Sequence, residues 1–536
     1  MAGSTGGPEH APDTPDEVRR LAGSGPRAPV TDPTVGVPLR PTWQGAPRHR
    51  LVTIGDSLTH GFQSGAVFAT DLSYPAIIAH ELGWSEHFRR PNYPGLGGLP
   101  LNIEVLLRDL ERRYGAELDW WEAPGAVFHA RDLMDRVEDY WERGPGTVRP
   151  LTQGINHNLG IYGWDLRDVL DRTAKSCADE LRRPKDHLLR QVIEHNNARA
   201  ALRVLPSMTP EERSLTVPAA AAQLGEEVGG PGGDPDHGVE TLVVFLGANN
   251  ALSAVSQLKV VWSDDGYDDL ERKRDFTVWR PSHFRAELAE LAAQVLAIRA
   301  RHVIWCTVPH VTIAPIARGV RAKVRPGSRY FPYYTRPWIS DDDFDPDQDP
   351  HLTGAQARDI DLAVDQYNED ITAVVRAARR EGRDWLLLDV AGVLDRLACR
   401  RYLEDPLARP DWWEPYPLPP EVAALDPPPD SRFLSVDGGR RCRGGLFSLD
   451  GVHPTTVGYG LIAQELINVM QGAGVEFRRP DGRTPRTAPV TVDFRRLIRR
   501  DTLINRPPAN LDSSLSVLAW GDEVLDLFRR TLRFRF

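Results

Sequence analysis

Four short runs along the chain are apolar at nearly every position: LVTI (51–54), TLVVFLG (241–247), HVIWCTVP (302–309) and WLLLDV (385–390). A strand with one wet face alternates apolar and polar residues. A strand covered on both faces does not, and parallel strands under helices are of that second kind. Stretches of helical period lie between and after these runs. YPAIIAHEL follows the first, FRAELAELAAQVLAIRA (284–300) separates the second from the third, ARDIDLAVDQYNEDITAVVRAARR (357–380) precedes the fourth, and TTVGYGLIAQELINVMQ (455–471) closes the set. This alternation predicts an α/β protein, a three-layer α/β/α sandwich around a mainly parallel central sheet.

The intervals between these elements are long. Residues 1–47 are rich in Pro, Gly, Asp and Arg and lack apolar periodicity, which predicts a disordered arm. The main domain is placed at 48–475, with insertions at about 85–150, 319–355 and 400–440 and a C-terminal extension over 476–536. The first insertion carries helical stretches such as LNIEVLLRDLERRYG; GEEVGGPGGDPDHG (225–238) is expected to be a flexible loop. Segments 329–350 and 404–430 are rich in Pro and aromatics. Loops of that length are usually functional or disordered, and their aromatics favour packed covers.

Composition removes several classes. A chain of 536 residues with 41% hydrophobic and 26% charged residues is globular, and a net charge of −10 argues against a general nucleic-acid surface. Cys177, Cys306, Cys399 and Cys442 are scattered, with no CxxC pair, so no zinc ribbon or disulfide framework is indicated. Cys306 fits a small buried hydrophobe. No metal or other cofactor is called for. The first residues lack a basic start and an apolar run, and no stretch reaches the roughly 18 apolar residues of a membrane span. A cytoplasmic protein without an integral membrane segment is therefore expected. Its oligomeric state cannot be read.

The candidate chemistry begins where the first strand runs into GDS. A serine there stands at the carboxyl edge of a parallel sheet, where ligands bind in open α/β folds. Gly55 permits a sharp turn. Ser57 is a candidate nucleophile; alternatively, Asp56 or Ser57 merely caps the next helix. A nucleophilic serine needs a base and a group that orients the base. With 15 His and 75 acids, an acid three residues before a His is expected about twice by chance, and the spacing occurs twice. Asp234–His237 lies in a Gly/Pro loop. Asp450–His453 lies in LFSLDGVHPTTVGYG, where Pro454 and Thr455 mark a helix start, and context favours this pair. An oxyanion needs donors. Asn249 or Asn250 of GANN, after the second strand, could supply one, and so could the backbone at Gly163, before a helix in NLGIYGWDLRDVL.

Taken in order, these blocks resemble the SGNH (GDSL) hydrolase superfamily. GDSLTHG carries the serine, NLGIYGWDLRDVL the glycine, GANN the asparagine and DGVHP the Asp and His. VIWCTVP and QYNEDI also resemble family features. The likeness covers about residues 48–475. It implies a flavodoxin-like sheet and a GDSL-type esterase or lipase acting on a small-molecule or lipid ester. It also implies roles: Ser57 as nucleophile, His453 as base and then acid, and Asp450 as its orienter. The oxyanion hole would be the Ser57 and Gly163 N–H groups with the Asn249 amide. Asn250 departs from the Asp usual in the third block. The G-x-S-x-G elbow of other serine hydrolases is absent.

The implied mechanism is attack by Ser57 on an ester carbonyl, proton transfer to His453, and clearance of an acyl-enzyme by water. Activity should fall when His453 is protonated. Acyl transfer to an alcohol on the same machinery, or a silent binding module, are the alternatives. His60, three residues after Ser57, reads as an exposed helix histidine rather than a competing base. DPDQDPHLTGAQ (345–356) opens like a calcium loop but lacks its sixth-position Gly and twelfth-position acid, so a solvated acidic loop is expected. RYFPYYTRPW (329–338) could line an acyl pocket, form a lid or simply pack. Residues 525–536 could be a basic amphipathic segment or a docked terminal element.

Overall fold

The computed structural model describes residues 10–20, 25–39, 47–148, 154–182, 193–227 and 238–514. At its centre is a five-stranded sheet of β1 (His49–Gly55), β2 (Asn158–Gly160), β3 (Val239–Phe245), β4 (Ala300–Cys306) and β5 (Trp385–Leu388). Every neighbouring pair is parallel, in the order 2-1-3-4-5. The chain leaves β1 for β2 on one side, then crosses to β3 on the other. The reversal creates a crevice at the carboxyl ends of β1 and β3. Gly55 pairs with both Gly160 and Phe245, so these three strand ends are level.

Strand side chains alternate between two cores. Val52 and Ile54, Leu242 and Val244, Val303 and Trp305, and Trp385 and Leu387 face one. Leu51, Val243 and Phe245, Ile304 and Cys306, and Leu386 and Leu388 face the other. Both faces are apolar because helices cover both, which is why the runs show no alternation of polarity. The helices that follow strands are α1 (Ser57–His60), α2 (Tyr74–Glu81), α3 (Leu166–Asp171), α4 (Asn249–Gln257), α5 (Pro281–Leu296), α6 (Gly354–Arg380), α7 (Val390–Leu397) and α8 (Thr456–Gly472). α3 to α6 build the first core, and α2 and α8 build the second. The QYNEDI and VIWCTVP segments meet directly. The Asn368 side chain accepts from Val308 N–H at 2.7 Å and donates to its carbonyl at 2.9 Å.

One expectation needs correction. Much of the arm at 1–47 is ordered. Asp359 of α6 accepts from Ala11 N–H and the Thr14 hydroxyl, and Asp389 accepts from Arg27 and from Val30 N–H. Leu387 N–H donates to Pro33 C=O, so the arm runs along the open edge of β5 and takes up its backbone donor. Buried carboxylates on α6 and before α7 hold it, and a segment without apolar periodicity gives no sign of that. The insertion at 85–150 carries helices Ile103–Tyr114 and Ala123–Glu142, whose Leu107, Leu110, Val137 and Trp141 join the first core.

The extension beyond 475 also packs. Phe477, Val492, Phe494 and Leu497 enter the second core beside α8. The basic segment 525–536, the Asp234–His237 pair and most of the 225–238 loop lie outside the described residues. Among the described residues, no helix is long and apolar enough to cross a membrane.

Candidate active site

β1 ends at Gly55 because no side chain fits there: a Cβ would collide with Thr59 and with the Phe245 carbonyl. Asp56 then caps α1, its Oδ1 accepting from Leu58 N–H at 3.0 Å. Ser57 opens that helix and is 4% exposed. Its Oγ lies 2.8 Å from His453 Nε2. The capping reading thus holds for Asp56, while the Ser57 side chain faces the histidine.

His453 sits in the loop before α8. Asp450 Oδ1 accepts from Val452 N–H at 2.9 Å and His453 N–H at 2.8 Å, closing a tight turn that places the carboxylate under the ring. Its Oδ2 lies 3.0 Å from His453 Nδ1. A carboxylate can only accept, so Nδ1 carries the proton and Nε2 is left to accept from Ser57 Oγ–H. Burial pushes the Asp450 carboxyl up. The His453 charge, the bond to its ring and the backbone donors outweigh this and hold it below the usual range.

Sequence reasoning missed the residues that clamp this loop. Gly65 N–H donates to Asp450 Oδ2 at 3.0 Å, and Ser64 N–H to Ser448 Oγ at 2.9 Å. The Phe62 ring lies 4.6 Å from the His453 ring. They belong to the hairpin after α1, whose two-residue strands are too short to show a period.

Gly163 is the third residue of the turn closed by Trp164 N–H to Ile161 C=O, with φ +77°. That geometry suits glycine. Asn249, 7% exposed at the start of α4, donates through Nδ2 to Trp164 C=O at 2.8 Å, which ties the glycine turn to the end of β3. One Nδ2 hydrogen remains. Among the described residues, the Ser57 and Gly163 N–H groups donate to no protein acceptor. Asn250 is fully buried, and neither polar atom of its side chain has a hydrogen-bond partner among the described residues.

His60, expected to be an exposed helix histidine, is instead fully buried. Its Nδ1 accepts from Tyr162 N–H at 3.1 Å and its Nε2 donates to Tyr93 Oη at 2.8 Å. Burial pushes the imidazole down to about 3. Both nitrogens are engaged, so His60 does not compete for Ser57.

Against Ser57 and His453 lies an apolar slot of about 120 Å³, lined by Leu58, Leu252, Val390, Leu394, Leu446 and Phe447 among others. The RYFPYYTRPW segment is not part of it. Its Tyr333–Thr335 stretch is the middle strand of a small antiparallel sheet, and its Phe331, Tyr334 and Trp338 line a separate cavity. The sequence also gave no signal for His310, on the slot wall. It stands between Asp365 (3.0 Å) and Asp395 (3.2 Å), which come from α6 and α7. Burial pulls its pKa down, but Asp395, Asp361 and Asp365 overcome this and raise it to about 10. Among the described residues, no group of three or more His, Cys, Asp or Glu is placed to hold a metal ion.

Comparison with protein families, with curated proteins and with solved structures returned no match.

Proposed function

We propose that this chain is a serine ester hydrolase of the SGNH (GDSL) kind. The observation that carries the reading is the unbroken relay from Ser57 Oγ through His453 to Asp450, at 2.8 and 3.0 Å. Ser57 attacks the ester carbonyl as His453 Nε2 takes its proton, and Asp450 stabilises the imidazolium. The Ser57 and Gly163 N–H groups and the Asn249 amide receive the oxyanion. His453 then protonates the leaving alcohol, and water resolves the acyl-enzyme by the same steps in reverse. The small apolar slot takes the acyl chain and favours short ones.

The nearly dry site also favours acyl transfer as a second reading, because a nucleophile 4% exposed restricts water. The test is turnover of p-nitrophenyl acetate, butyrate, dodecanoate and palmitate by the wild type and Ser57→Ala. The expected result is preference for acetate and butyrate, and loss of turnover in the variant. Equal turnover by the variant would overturn the proposal. Added alcohol that diverts the acyl group into a new ester would identify transfer.

A further inference from the structure

Beyond the slot, the chain forms a second and larger cavity of about 590 Å³. The two flank one segment: Pro309, His310, Val311 and Ala314 line the slot, and Thr312, Ile313, Pro315 and Ala317 line the cavity. The cavity wall carries six arginines, Arg318, Arg329, Arg400, Arg401, Arg432 and Arg443, against three carboxylates, Asp341, Glu404 and Asp512. In a chain of net charge −10 this is a local reversal of sign.

Three of the arginines are matched. Arg318 pairs with Asp341 at 2.6 Å, Arg401 with Asp361 at 2.8 Å, and Arg432 with Asp430 at 2.7 Å. Asp512 accepts from the Ser435 hydroxyl and Val436 N–H. Arg329, Arg400 and Arg443 have no acidic group within ion-pair distance among the described residues. Arg400 is held in place without one. It donates to Gly319 C=O at 2.6 Å and lies 4.6 Å over the Phe331 ring. Burial, then the nearby Arg318 charge, push its pKa down, and the more distant Glu404 and Asp341 carboxylates offset this only in part.

We infer that this cavity is a binding site for a phosphate-bearing small molecule of nucleotide size. Guanidinium groups present forked donors that match phosphate oxygens. Phe331, Tyr334 and Phe433 give the same cavity aromatic walls for a flat or apolar body. The volume falls in the range of small-molecule sites, about 300–1,000 Å³. Five separate segments supply the cations, which is why no sequence motif announces them. The site stands on its own geometry and does not depend on the esterase reading.

The test is calorimetric titration of the full chain with ADP, and with adenosine as the control lacking phosphate. The expected result is saturable binding of ADP that weakens as salt is raised, and no binding of adenosine. Arg400→Gln with Arg443→Gln should weaken ADP at least about tenfold. The Arg443 side chain is exposed and makes no ion pair or hydrogen bond among the described residues, so Arg443→Gln alone keeps the test valid if the double variant misfolds, and it should weaken ADP measurably. No saturable ADP binding by the wild type, equal binding of adenosine, or unchanged affinity in Arg443→Gln and the double variant would overturn the inference. Ester turnover is not the readout, so a failed esterase proposal leaves this result readable.

Discussion

At the scale of single residues, the group beside Ser57 has an unusual setting. Asp56 is fully enclosed, and its Oδ2 has no hydrogen-bond partner among the described residues. Burial raises its pKa from 3.8 to about 7, against the opposing pull of Leu58 N–H and His453. The folded protein therefore keeps a proton that the unfolded chain gives up. Where the folded state binds more protons, stability falls as pH rises. The contribution is intact below about pH 4 and is lost as pH rises towards and through about 7. Urea unfolding of wild type and Asp56→Asn across that window should show the wild type losing more stability than the variant. Parallel pH profiles would refute this account of Asp56. The sequence made Asp56 legible as a cap but not as a buried acid, since burial belongs to what packs around α1. His60 misleads for the same reason: in this four-residue helix only Leu58 is partly exposed, and His60 faces the packed interior.

At the scale of elements, the turn at Gly163 depends on a buried ion cluster. Asp165 caps α3 in a capping box with Asp168. Lys273, nearly inaccessible, places Nζ 2.5 Å from Asp165 and 2.7 Å from Asp168. Its removal leaves Asp165 without a cation and Asp168 with only the longer contact to Arg172, at 3.8 Å, next to Gly163 and Trp164. Breaking such a pair from one side typically costs about 3–5 kcal/mol. Lys273→Met should lower the free energy of urea unfolding by about that much, and adding Asp165→Asn and Asp168→Asn should recover much of it. A loss within about 0.5 kcal/mol, the range of ordinary surface substitutions, would contradict the account. This cluster was not legible, because Lys273 lies more than a hundred positions from both carboxylates. β2 was missed for a different reason. Three residues opening with Asn carry no usable period, and Asn158 serves its neighbours instead, accepting from Gly160 N–H and donating to Thr59 C=O. The four long apolar runs were legible because double-sided burial demands apolar residues at every position.

At the scale of the whole molecule, the 2-1-3-4-5 order does the joining. It sets the end of β1, the turn after β2 and the start of α4 side by side, and α8 brings the histidine loop to the same edge. Ser57 and His453 are 396 positions apart and meet only through this topology. Their pairing was readable because each sits where a strand or helix boundary is marked by Gly, Asp or Pro. The docked arm was not readable, because its anchors are carboxylates elsewhere in the chain. The central claim is that Ser57 is a nucleophile activated by His453. The most direct measurement is peptide mapping by mass spectrometry after treatment with a fluorophosphonate. The account predicts one adduct, on Ser57, and none on that residue in His453→Ala over the same exposure. An adduct on another serine in the folded wild type, or an unlabelled Ser57, would contradict it.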